Sequence, residues 1–394
     1  MTNPPDPIGP MNPLYVGMRT SVFERMSLAA ARFGAVNLGQ GFPDFGWPDA
    51  ILEAAARAVV QGSNQYAPSR GLAELRLAIA AHYQRHFGEE LHAEQVCVTS
   101  GGTEALGAAI LATVSPGDEV IIFTPAYDSY APMIRRAGAI PVEIALEPPA
   151  WRIERDAIAA AVTPRTRVMI FNNPQNPTGR LFDEAELETV AASAREHGLI
   201  VIADEVWEHI VLDGRRFTPI ASLPGMAERV IKVGSAGKIF SLTGWKVGWL
   251  VAAPELAGVV ARAHQFLTFC TPPNLQSAVA FGLNEGDEWI QPMRERFQRA
   301  RNRMTQGLAN AGFAVLDCAA TYFLCVDLAA SGVSIDDESF AAAAVEKAGV
   351  AVVPLSPFAE SDPSRHLVRL CFAKGDETID AGVAAMAKAR DMLS

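Results

Sequence analysis

Arg229-Val-Ile-Lys-Val-Gly-Ser235-Ala-Gly-Lys238-Ile-Phe-Ser-Leu-Thr-Gly-Trp-Lys246-Val-Gly-Trp249 is the stretch from which the fold is read. Its first part reads as a short buried strand. A glycine-spaced segment carrying Lys238 follows. Upstream, Leu199-Ile-Val-Ile-Ala203 is another apolar run, ending in Asp204-Glu-Val-Trp207. An acid and a lysine thus lie just past the carboxyl ends of two expected parallel strands, the edge where open α/β sheets bind ligands. A lone lysine is ordinarily a solvated surface group. Lys238 departs from that only through this setting.

Five more runs extend the pattern: Val96–Thr99, Glu119–Phe123, Ile140–Ile144, Arg167–Phe171 and Val247–Val251. Continuous apolar runs separated by helical patterns predict an α/β fold with a seven-stranded, mostly parallel sheet covered on both faces. We place this large domain at 46–285. Residues 286–394 alternate helices and strands, beginning with a long amphipathic helix over 287–311, and predict a smaller α+β domain. Residues 1–45 are expected to supply an amino-terminal arm and part of that small domain, with a helix near Val22–Phe33.

The 394 residues carry a formal net charge of −11, against a nucleic-acid surface. No apolar stretch suffices for a membrane span. The proline-rich start lacks the basic and apolar regions of a secretory signal. Five cysteines, Cys97, Cys270, Cys318, Cys325 and Cys371, form no C-x-x-C pair. Reduced thiols and a cytoplasmic location are expected, with neither a disulfide framework nor a metal site.

Val96-Cys-Val-Thr-Ser-Gly101-Gly102-Thr103 reads as strand, glycine turn and helix start, a place where free N–H groups bind phosphate. Alone it is equally a tight turn with a Thr cap. Tyr127 follows a strand and could stack on a flat ring or pack in the core. Asn172-Asn-Pro-Gln-Asn176-Pro-Thr-Gly179 forces an irregular loop in which an Asn amide can donate to a phenolate or carboxylate. Ser235 and Lys246 could reach one phosphate with Lys238 between them. Arg369, inside the apolar Leu367–Phe372 run, needs a partner. Its planar fork suits a substrate carboxylate as well as an internal ion pair. A lysine able to form a Schiff base, with an aspartate to hold a pyridinium nitrogen, is the minimum equipment for pyridoxal 5'-phosphate chemistry.

These segments, together with Asn37-Leu-Gly-Gln-Gly41-Phe-Pro-Asp-Phe45 and Asn64-Gln-Tyr66, resemble the class I, fold-type-I pyridoxal-phosphate aminotransferases over nearly the whole chain. The Leu38–Phe45 and Lys238 segments are most similar to the kynurenine and methionine aminotransferase group. The resemblance implies catalytic roles for Lys238, Asp204 and Tyr127. It implies cofactor contacts from Gly101, Gly102, Thr103, Tyr127, Asn176, Asp204, Trp207, Ser235, Lys238 and Lys246. Tyr66 would reach the cofactor phosphate of a partner subunit, so a homodimer with shared active sites is implied. Arg369, Asn176 and the backbone near Gly41 would bind substrate.

Where the family reads Asp-x-Val-Tyr, this chain has Trp207. An indole N–H donates but does not titrate, so the pKa of the lysine–cofactor Schiff base is expected to change. Lys246 stands where more distant members use arginine. The expected reaction moves an amino group from an L-amino acid with an uncharged side chain, such as methionine or an aromatic, to a 2-oxo acid. No second arginine is obviously placed for a distal carboxylate, yet dicarboxylic or succinylated donors stay open. Cysteine-conjugate β-elimination and a dimeric cofactor-binding regulator are the other readings.

Overall fold

Side chains alternate across a strand, so a strand buried on both faces must be apolar throughout. The central runs meet that condition. Ile122, Ile170, Ile202 and Ile231 pack under one helical layer, while their neighbours Ile121, Met169, Val201 and Val230 pack under the other. This computed structural model describes residues 11–285 and 288–393. All seven expected strands are present, and they form one sheet in the order 96–99, 248–252, 230–235, 200–204, 166–172, 119–124 and 140–145. Gly248–Ala252 runs antiparallel to both neighbours, and the strands from 119 to 235 pair in parallel.

Two strands start one residue later than the apolar runs suggest: Ile200–Asp204 and Gly248–Ala252. Asp204 is therefore the last residue of its strand rather than the first beyond it. Register then aligns the site. Asn172 pairs with Asp204, and Ser235 with Gly248, which in turn faces Thr99. One edge of the sheet thus presents the loops that begin at Ser100, Asn173, Glu205 and Ala236.

The remaining chain builds a second core. Phe323–Asp327 pairs antiparallel with Leu367–Cys371 and with Ala314–Val315, and Val353–Pro354 extends the sheet. Val36 and Asn37 pair in parallel with Val350 and Ala351, which ties the amino-terminal stretch to this unit. The helix Val22–Phe33 has the expected bounds, and Gly34 closes it in the left-handed conformation. The long helix runs Ile290–Asn310, with Phe297, Met304 and Leu308 buried beside Ile379 and Met386 of the last helix, Asp376–Leu393. The boundary expected between 285 and 286 falls at the edge of the described residues, since 286 and 287 lie outside them, as does the lead-in over 1–10. Among the described residues the cysteines form no disulfide, and no helix is long and apolar enough to cross a membrane.

Candidate active site

A cavity of about 230 Å³ lies at that sheet edge, lined by Gly101, Gly102, Thr103, Tyr127, Asn176, Asp204, Trp207, Ser235, Lys238 and Lys246, with Asn172 and Thr243. Ten of the expected cofactor residues therefore converge, from six separate segments of the chain.

Gly101 opens the helix Gly101–Thr113 with a φ of +77°, a conformation that favours glycine. Close approach matters as much. A Cβ on Gly248 would stand 2.6 Å from the Gly101 carbonyl carbon and 2.7 Å from the Gly102 nitrogen. The turn therefore lies directly on the neighbouring strand. Its helix amino terminus, Thr103, Ser235 and Lys246 line one cavity, a combination of donors and charge that could hold a phosphate dianion.

Asp204 is buried at the cavity floor. Its Oδ2 accepts a 2.5 Å hydrogen bond from the Tyr130 hydroxyl, while Oδ1 has no hydrogen-bond partner among the described residues. Burial raises its pKa, and the Tyr130 hydroxyl and the Lys238 charge oppose that rise. A protonated ring nitrogen would satisfy Oδ1 and strengthen the ionised form. Asn172 braces this corner: its amide donates to the Asp204 carbonyl at 2.7 Å and its Oδ1 accepts from the Asn176 backbone at 2.8 Å.

Lys238 sits in the short helix Ala236–Ile239 and is half-buried. Desolvation lowers its pKa to about 8, with Arg369 and Lys246 pushing the same way and Asp204 opposing. Its Nζ donates to the Tyr322 hydroxyl at 3.1 Å and lies 4.5 Å from the centre of the Trp207 ring. The Tyr322 hydroxyl in turn donates to the Gly41 carbonyl at 2.6 Å.

Arg369 is fully buried, and burial lowers its pKa to about 10. Nη1 donates to Asn176 Oδ1 at 2.8 Å and Nη2 to the Gly39 carbonyl at 3.1 Å. Nε has no partner among the described residues. The Phe323 and Phe23 rings lie 3.7 and 4.7 Å from the guanidinium carbon. The glycine carbonyl at this arginine is thus Gly39, while the expected Gly41 receives Tyr322 instead. Tyr66 stands apart from the cavity, 85% exposed, its ring edge-on to Phe269 at 5.6 Å.

Sequence reading missed Tyr322, Tyr130 and Asn172. Tyr130 carried a local signal, standing three residues after Tyr127 at the start of the helix Tyr130–Arg136. Tyr322 carried none, because 84 positions separate it from Lys238.

A second cavity of about 1010 Å³ shares Thr103 and Lys246 with the first. Arg19, Arg25, Arg136 and Arg365 line it. Its acids already have partners: Glu104 pairs with His264 and Glu360 with Arg135, while Asp128 and Glu338 pair with Ser21 and Arg25 of the same wall.

The family model for aminotransferase class I and II matches residues 34–386. The chain belongs to that family, and it is an aminotransferase. A Mycobacterium tuberculosis protein named as a probable N-succinyldiaminopimelate aminotransferase, DapC, is 45% identical over 376 residues, covering 92% of this chain and 94% of that protein. The methionine aminotransferase of Escherichia coli is 39% identical, covering 96% of this chain and 97% of its own. The solved N-succinyldiaminopimelate aminotransferase from M. tuberculosis superposes with a TM-score of 0.93 at 44% identity, over 96% of this chain and 100% of the other.

Proposed function

We propose that this aminotransferase works with pyridoxal 5'-phosphate in the Lys238 cavity, and that its amino donor carries a distal anionic group. The orphaned Asp204 Oδ1 at the floor of a phosphate-cradling pocket carries the cofactor reading. Bound there, the cofactor's protonated ring withdraws electrons from the substrate α-carbon. Asp204 would hold the ring nitrogen, Asn176 would donate to the phenolic oxygen, and Tyr127 would lie against the ring.

Lys238, with its pKa near 8, supplies a neutral amine at slightly alkaline pH. That amine is first the nucleophile, and later the base that takes the α-proton on Nζ. Tyr322 fixes the direction of Nζ by accepting its hydrogen bond. Arg369 grips the α-carboxylate with its planar fork.

Tyr66, Phe266 and Phe269 are exposed on one strip next to the cavity-lining Leu267. An exposed apolar strip beside the mouth, which a second copy would cover, supports a homodimer in which Tyr66 serves the partner's site. The reaction on small soluble metabolites supports a cytoplasmic location.

The arginine-lined outer cavity carries the substrate reading. Arg19, Arg136 and Arg365 make no hydrogen bond or ion pair with their side chains among the described residues. N-succinyldiaminopimelate, named for the 45% identical relative, has the required reach and charge. An uncharged donor such as methionine is the second reading, favoured by Val22, Leu111, Met133 and Leu267 on the same walls.

Steady-state kinetics with both donors separates the readings. In the Arg19→Ala/Arg136→Ala double variant, KM for the succinylated donor should rise about 10-fold or more, with methionine unchanged. Equal shifts for both donors, or none, hand the site to the uncharged one. The visible spectrum of the loaded protein tests the rest. A lysine-dependent band that a donor bleaches establishes the cofactor. A band that persists while pyruvate accumulates from a cysteine conjugate establishes β-elimination instead.

A further inference from the structure

We propose that His82, His209 and Glu208 form a buried site for one divalent transition-metal ion of the zinc class. None of the three lines the Lys238 cavity. His82 comes from the helix Ala73–Phe87, and Glu208 and His209 from the turn that follows the Ile200–Asp204 strand. One ligand atom from each lies within 4.8 Å of the other two. The Nε2 atoms of His82 and His209 are 2.7 Å apart.

Both imidazoles and the carboxylate are sealed from solvent, at 2%, 1% and 1% exposure. His86, one turn after His82, adds a third ring, with centroids 4.4 Å from His82 and 4.8 Å from His209. Histidines at i and i+4 share a helix face, the spacing that helical zinc sites use.

His209 Nδ1 is buried without a hydrogen-bond partner among the described residues, at a cost of about 1–3 kcal/mol. Glu205 Oε2 and Glu208 Oε2 accept no hydrogen bond there and face the Lys232 ammonium at 3.4 Å each. Three carboxylates, Glu89, Glu205 and Glu208, face the single Lys232 ammonium at 2.8, 3.4 and 3.4 Å, so Glu208 has an oxygen within reach of both the ammonium and the imidazole pair. A dication would take one lone pair from each Nε2 and one from Glu208 where the imidazole pair now has a single proton to share. Tetrahedral zinc sets its ligand atoms about 3.3 Å apart, so the imidazole pair, now 2.7 Å apart, opens by roughly half an ångström. The remaining contacts stay: Tyr83 donates to Glu208 Oε1 at 3.0 Å, and Arg294 donates to the His209 carbonyl at 2.7 Å. The ion would pin the helix that carries His82 to the segment that carries Asp204.

Untagged, cofactor-loaded protein is stripped with chelator and titrated with zinc ion against a chromogenic competitor, then with cobalt(II). The expected result is about one tightly held equivalent per chain and an intense visible cobalt band of tetrahedral type. Both should be lost in His82→Gln and in His209→Gln, while the cofactor band persists. Chelator should also lower the melting temperature of the wild type by several degrees, without bleaching the cofactor. Wild-type protein that neither retains zinc nor shows the cobalt band overturns the proposal without recourse to any variant. Binding that survives both substitutions marks a surface ion and overturns it equally.

Discussion

Lys232 and Lys238 stand six residues apart, both with buried ammonium groups, and they are driven in opposite directions. Lys232 points into the cluster of Glu89, Glu205 and Glu208, and its pKa is raised. Lys238 has a hydroxyl, an indole face and one carboxylate nearby, with Arg369 and Lys246 beyond, and its pKa falls to about 8. Burial alone would lower both. The number of facing carboxylates decides which lysine stays a cation and which becomes a reagent.

Exchanging the two side chains for methionine, one at a time, tests that contrast. Lys238→Met should lower the rate of amino transfer by at least about 10³-fold, because nucleophile and base are lost together. The chain should stay folded, read by circular dichroism. A variant retaining a tenth of the wild-type rate breaks the functional half of the comparison.

Lys232→Met should do the reverse. It leaves the buried Glu205 and Glu208, and the partly exposed Glu89, without their cation and should cost about 3 kcal/mol in denaturant unfolding. The kcat of the folded fraction should change little. Unaltered stability would mean that the acids are already neutral without the lysine. Burial does push Glu205 up to about 8 and Glu208 to about 7, so the loss should be smaller at pH 6 than at pH 8.5.

A smaller effect concerns stability at the site lysine. Lys238 titrates near 8 in the folded chain and near 10.5 when unfolded. Below pH 8 both states hold the proton, and the folded state bears the full cost of the buried charge. Between about 8 and 10.5 the unfolded state binds more protons, so stability rises with pH. Lys238→Met should therefore stabilise the cofactor-free protein by about 1–2 kcal/mol at pH 7 and by little at pH 10.5. An equal gain at both values would assign it to packing.

The smallest expected change sharpens the comparison. Trp207→Tyr places a titratable hydroxyl beside the cavity in place of an indole that cannot titrate. The pH titration of the visible band should shift by up to about one unit. Superimposable curves would show that Tyr322, already 3.1 Å from Lys238, carries the role alone.

Periodicity made the large sheet legible because each of its strands is apolar on both faces. The site was legible where a residue and its backbone setting lie in one segment. Lys238 after its strand, Asn176 in its proline loop and Gly101–Thr103 at a helix start all converge as expected. Contacts that need two distant segments were not legible. Tyr322 reaches Lys238 from the second core, and Lys232 meets Glu89 across 143 positions. The carbonyl beside Arg369 belongs to Gly39, two residues before Gly41, whose own carbonyl accepts from Tyr322. The surplus of arginines around the outer cavity was likewise invisible, since Arg19, Arg136 and Arg365 share no local pattern.

Arg369 receives Phe23 from the helix Val22–Phe33, Gly39 from the stretch after it, Asn176 from a loop of the large sheet and Phe323 from the second core. Contacts so far apart along the chain are among the last to form during folding, because each must close a long loop first. A nascent or partly assembled chain therefore has no working grip on a substrate carboxylate. Recovery of turnover after dilution from denaturant should lag behind recovery of helical signal, which makes activity a late clock for the completed molecule.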